Sequence, residues 1–136
     1  MSRIAYVNGR YLPHQAATVH IEDRGYQFAD GVYEVIAVRN GVLIDGDWHM
    51  ERLQRSLLEL QIKMPMAVGP LNVVLHETAR RNRFREGIVY LQITRGVARR
   101  DHPFPGADTP PALVVTARRT PPHSPPNADS AAQPAE

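Results

Sequence analysis

Two Asn-Gly dipeptides, Asn8-Gly9 and Asn40-Gly41, constrain this chain more than any other feature. A tight two-residue hairpin turn needs positive φ at both central positions, which asparagine and glycine tolerate best. Segments able to extend flank each pair: Ile4 to Val7 and Arg10 to Leu12 around the first, Val32 to Arg39 and Val42 to Ile44 around the second. The first third of the chain is therefore expected to be antiparallel sheet. Within it VYEVIAVR alternates, putting Tyr33, Val35 and Ala37 on one face and Val32, Glu34, Ile36 and Val38 on the other.

The pattern then changes period. Asp47 is expected to cap a helix with Met50, Leu53, Leu57 and Leu60 in one apolar stripe, and Pro70 to open a second helix with Leu71, Val74, Leu75 and Ala79. Ile88 to Arg95 and Ala112 to Ala117 read as two further strands. With 136 residues, 43% of them hydrophobic, the chain has material for one core. The expected fold is a two-layer α/β (α+β) domain over residues 1–119, an antiparallel sheet with two helices on one face. Residues 120–136 hold five prolines and no large apolar side chain, and are expected to be a disordered, proline-rich tail.

Composition narrows the function. There is no cysteine, and the six histidines are scattered without the spacing of a metal-binding helix, so no metal site is expected. The arginines are spread along the chain and the net charge is only +2, which argues against a nucleic-acid partner. The N-terminal segment lacks the apolar core of a secretory signal, and no apolar run reaches the roughly 18 residues of a membrane span. A soluble, cytoplasmic protein is the expectation.

Three clusters have the residue types of a binding site. The first is Glu22 to Val35, EDRGYQFADGVYEV, whose Gly25 and Gly31 argue against a regular helix in its first part. It delivers Tyr33 onto a strand, either as a packing residue or beside a ligand. The second is His49, Arg52 and Arg55, where Arg55 has the spacing of a surface ion pair with Glu51 and Arg52 lies next to core-facing Leu53. The third is TRGVARRDHPFP, with Arg95, Arg99, Arg100 and His102 following a strand. Such a loop is either solvated or set to hold a carboxylate or phosphate, since guanidinium donors match both anions.

Taken together, the three clusters resemble the N-terminal domain of the class IV aminotransferases that use pyridoxal phosphate, and within them the D-amino-acid aminotransferases. EDRGYQFADGVYEV, HMERL at His49 to Leu53 and YLQITRGVARRDHPFP at Tyr90 to Pro105 follow that family's order and spacing over residues 1 to about 120. The resemblance implies that Arg52 binds the phosphate of pyridoxal 5'-phosphate. It implies that Tyr33, Arg100 and His102 hold the substrate carboxylate, with Val35 lining the pocket. It also implies a homodimer in which Arg100 and His102 serve the neighbouring subunit's site. The reaction implied is transamination between a D-amino acid and a 2-oxo acid, D-alanine with 2-oxoglutarate. Branched-chain aminotransferases and aminodeoxychorismate lyases share the architecture and are the rival readings.

Such chemistry needs a lysine that holds the cofactor as a Schiff base and moves a proton at Cα. Of sixteen basic residues only Lys63 is lysine, and it closes the first helix, where a cation meets the negative helix end. No catalytic residue is therefore assigned. In the family the lysine lies in a C-terminal cofactor domain, expected to be absent here, which makes the chain as given catalytically incomplete. A non-enzymatic remnant or dimerisation module is the alternative from another class.

Overall fold

The computed structural model describes residues 3–121, so the expected tail, apart from its first two residues, lies outside the described residues. Both Asn-Gly turns form as expected. Asn8 and Gly9 have φ of 47° and 97°, Asn40 and Gly41 of 52° and 75°. They join β1 (Ile4–Val7) to β2 (Arg10–Pro13) and β3 (Gly31–Arg39) to β4 (Val42–Leu43). The remaining strands are β5 (Gly87–Thr94) and β6 (Ala112–Arg119). All six make one sheet in the order β2-β1-β6-β5-β3-β4, and every pairing is antiparallel.

Helices α2 (Gly46–Leu60) and α3 (Val68–Arg81) pack on one face of that sheet. Ile36 and Val38 of β3, Val89, Leu91 and Ile93 of β5 and Val115 of β6 meet Met50, Leu53 and Leu57 of α2 and Leu71, Val74 and Leu75 of α3 in one buried core. The expected two-layer architecture is borne out. Removing this apolar surface from water, at roughly 25 cal/mol per Å², is the dominant stabilising contribution.

Three local expectations need correction. Helix α2 begins at Gly46, with Asp45 in the left-handed region at its cap, so Asp47 lies inside the first turn and favours the helix through its charge rather than by capping. Leu60 is 39% exposed, because Gln61 adopts a left-handed conformation that ends the helix and Ile62 turns back into the core in its place. Glu22 to Val35 does contain a helix, α1 (Arg24–Phe28), a short one with Gly25 inside it. Asp23 caps it, its Oδ1 accepting from Gly25 N at 2.8 Å. Glycine stands at position 25 because a Cβ there would collide with Thr94 Cγ2 of β5. Close approach outweighs helix propensity at that residue.

Candidate functional site

A buried carboxylate, Glu34, organises the first part of the site. Strand alternation turns Glu34 towards the helix layer, where it is only 4% exposed, while Tyr33 and Val35 face the open side of the sheet at 63% and 40%. Arg52, one residue before core-facing Leu53 on α2, donates from Nε to both Glu34 oxygens at 3.0 Å, and its Nη2 lies 2.9 Å from Oε1. His49 Nδ1 lies 2.8 Å from the same Oε1, and because an ionised carboxylate only accepts, the imidazole proton belongs on Nδ1. The Arg52 guanidinium also sits over the Trp48 ring, 4.4 Å from its centroid. Held on two sides, Arg52 still leaves 41% of its side chain exposed.

On the open side of the sheet Tyr33 stacks on Tyr90 of β5, with ring centroids 5.6 Å apart and planes 21° from parallel. Burial, and then the neighbouring Tyr33, push the Tyr90 phenol above its ordinary pKa. Val35 lies directly across from Tyr90 in the β3–β5 register.

The loop after β5 is anchored by a second carboxylate, that of half-buried Asp30. Asp30 Oδ2 accepts from Arg24 Nε at 2.8 Å and from Arg95 Nε at 2.7 Å. Both guanidiniums are nearly enclosed, so their remaining donors need acceptors. Arg95 supplies Gln61 O at 3.0 Å and Leu60 O at 2.7 Å, satisfying two carbonyls that the end of α2 leaves open. Arg24 Nη1 donates to Asp101 O at 2.7 Å, which pins the backbone between Arg100 and His102. Phe104 closes over Arg95, with 3.8 Å from guanidinium to ring centroid. Burial alone would raise the Asp30 pKa, but hydrogen bonds and charge from Arg95 and Arg24 together outweigh it and hold the carboxyl below the usual range.

Arg100 and His102 are exposed and share one aromatic support. The Phe28 ring at the end of α1 lies 5.8 Å from the Arg100 guanidinium and 5.7 Å from the His102 ring. Among the described residues no hydrogen bond or ring contact links either of them to Tyr33, nor Tyr33 to Arg52. The structure thus forms three groups: Arg52 with His49 and Glu34, Tyr33 with Val35 and Tyr90, and Arg100 with His102. Lys63 belongs to none of them. Its Nζ donates to Ala107 O at 2.9 Å, and the helix-end role expected of it is performed by Arg95. Arg95 itself is an anchor of the loop and not one of its exposed cations.

Sequence reasoning missed the organising acids. Glu34 was legible as an acid on the inward face of an alternating strand, a position that requires buried partners. Asp30, Arg24 and Arg95 carried no comparable signal, because their meeting depends on strand pairing.

The family profile described as amino-transferase class IV matches residues 31–135. A D-alanine aminotransferase of Bacillus licheniformis is 43% identical over 109 residues, which is 80% of this chain and 38% of that protein. One from Listeria monocytogenes is 41% identical over 112 residues, covering 82% of this chain and 38% of the relative. This chain therefore spans about two-fifths of the length of the curated relatives it matches. Among solved structures, the branched-chain amino acid aminotransferase of Escherichia coli superposes with a TM-score of 0.81 at 18% identity, covering 88% of this chain and 40% of its own, a likeness of fold. A 4-amino-4-deoxychorismate lyase from Pseudomonas aeruginosa superposes with a TM-score of 0.68 at 26% identity, covering 86% and 40%.

Proposed function

Since the chain belongs to the class IV aminotransferase family, we propose that it supplies the cofactor-phosphate and substrate-carboxylate contacts for transamination of D-amino acids, with D-alanine and 2-oxoglutarate as the pair. The observation that carries this reading is the joint placement of Arg100 and His102 on Phe28, with the backbone between them held by Arg24. A guanidinium and an imidazole sharing one aromatic support suit a carboxylate, and the position of that carboxylate decides which hydrogen of Cα is presented for removal.

Arg52 fits a phosphate on the same physical grounds. Glu34 and Trp48 set the orientation of its guanidinium, and the exposed edge retains N–H donors for phosphate oxygens. Pyridoxal 5'-phosphate, when bound, stabilises negative charge at Cα. The residues of this chain then bind and orient. Arg52 holds the phosphate, and Tyr33 offers its hydroxyl to the carboxylate from the open sheet face beside Val35. Arg100 and His102 reach the carboxylate across a homodimer interface, which accounts for their lack of contact with Tyr33 in a single chain. Lys63, the one lysine of these 136 residues, belongs to none of the three groups, its Nζ donating to Ala107 O, and no step at Cα is assigned to it.

D-alanine aminotransferases are favoured by sequence, since curated relatives so named are 38% to 43% identical over about four-fifths of this chain. The decisive experiment places residues 1–119 in place of the matching segment of the Bacillus licheniformis D-alanine aminotransferase. The hybrid is expected to form pyruvate from D-alanine and 2-oxoglutarate, with Arg100→Ala raising KM for D-alanine by about tenfold or more through loss of carboxylate binding. A hybrid that prefers L-leucine, or an unchanged KM in the variant, overturns the assignment.

A further inference from the structure

Guanidiniums and aromatic rings alternate from the anchored base of the loop after β5 to its exposed cations. Arg95 lies 3.8 Å from the Phe104 ring centroid, and that centroid lies 5.9 Å from the Arg24 guanidinium. Arg24 in turn lies 4.6 Å from the Phe28 centroid, which lies 5.8 Å from the Arg100 guanidinium. His102 joins at the same place, its ring 5.7 Å from that of Phe28 at 61°. The inner end is fixed by charge, since Asp30 accepts from both Arg24 and Arg95. The outer end is not: among the described residues the side chains of Arg100 and His102 make no hydrogen bond or ion pair, and Phe28 is the group they rest on.

A ring face attracts a cation because its quadrupole places negative charge there, over distances up to about 6 Å. This attraction restrains a guanidinium without occupying its N–H donors, which stay free for an anion. A carboxylate partner would orient Arg100 too, but would neutralise it. The fold places Phe28 for the task. It ends α1, the helix whose Gly25 packs against Thr94, and Ala29 then turns the chain into the left-handed region. Side chains restrained before binding lose less freedom when they bind.

We infer that Phe28 is a positioning residue for the substrate carboxylate: its ring sets the directions of Arg100 and His102 while leaving both without a neutralising partner. The inference rests on the proposed role of those two residues in holding the carboxylate. Phe28 lies on the same chain as the pair, so the support travels with them to whichever subunit's site the loop serves. The charge balance agrees. Asp30 is the one acid bonded to any of the guanidiniums of Arg95, Arg24 and Arg100 among the described residues, and the surplus positive charge favours an anion.

The test uses the hybrid of residues 1–119 with the Bacillus licheniformis D-alanine aminotransferase. Phe28→Leu keeps an apolar side chain and removes the ring face. It is expected to raise KM for D-alanine about fivefold, within the range of one lost cation–π contact, while kcat stays within about twofold. Phe28→Tyr keeps the face and is expected to hold KM within about twofold of the unsubstituted hybrid. A second readout needs no cofactor: in the 136-residue chain, NMR relaxation of the Arg100 Nε–H group is expected to show a loss of order in Phe28→Leu and wild-type order in Phe28→Tyr. Phe28→Met, also without a ring, keeps the outcome readable if the leucine variant does not fold. If Arg100→Ala raises KM and Phe28→Leu does not, the carboxylate assignment stands and the role of Phe28 is overturned. If neither raises KM, the carboxylate assignment itself has failed, and this inference with it. A loss that Phe28→Tyr does not restore, or unaltered Arg100 motion in Phe28→Leu, reduces Phe28 to packing and overturns the inference.

Discussion

Asp30 and Arg95 are joined by two hydrogen bonds, Nε to Oδ2 at 2.7 Å and Nη2 to Oδ1 at 3.2 Å, across 65 residues of sequence. Asp30 also carries Arg24, so one acid compensates two nearly enclosed guanidiniums. Asp30→Ala is expected to lower stability by roughly 3 to 5 kcal/mol, because it leaves two buried cations without their carboxylate. Urea denaturation of the variant beside the wild type measures the difference, and a loss below 1 kcal/mol, roughly the value of an exposed pair, would contradict the burial argument.

The same carboxyl predicts an acid limb in the stability curve. Its pKa is lowered on folding, so its contribution is complete above the unfolded value of about 3.9 and is lost as pH falls through the folded one. Glu77 is lowered to about 2 by hydrogen bonds from Arg80 and Arg81, but those pairs are open to solvent and screened. Denaturation midpoints between about pH 6 and pH 2 should therefore fall with acid in the wild type, less in Asp30→Asn, and almost as steeply as wild type in Glu77→Gln.

Gly25→Ala should destabilise by about 1 to 3 kcal/mol through overpacking against Thr94, although alanine is the better helix former. Thr94→Ser removes the offending Cγ2 and is expected to recover part of the loss. If the alanine variant proved as stable as the wild type, the close approach of α1 and β5 would not be what selects glycine.

Trp48 is the only tryptophan, and its ring meets both the Arg52 guanidinium and the His49 ring, so its fluorescence reports on this one site. Inorganic phosphate is expected to change Trp48 emission saturably in the wild type and not in Arg52→Ala, with binding in the millimolar range of roughly 4 kcal/mol. A response that survives Arg52→Ala would assign the phosphate to another group.

Much of the site was legible because its residues lie in short, ordered motifs. Tyr33 and Arg52 were placed correctly on a strand and a helix, and Arg100 and His102 on the loop after a strand. The apolar stripe of α3 came through intact, whereas that of α2 lost Leu60 to the left-handed turn at Gln61. Arg95 was misread as one more loop cation, since nothing local marks it as the partner of Asp30.

By itself the sequence determined the two hairpins, the alternating faces of β3 and β5 and the helix stripes, which follow from φ preferences and periodicities that act within a few residues. The motifs carry the family resemblance on separate grounds. Only the tertiary structure decided which charges are compensated. Pairing of β3 with β5 brings Asp30 to Arg95, and packing of α2 on β3 brings Glu34 to Arg52. Buried charge requires a partner wherever the fold can supply one, and sequence distance does not encode where that is.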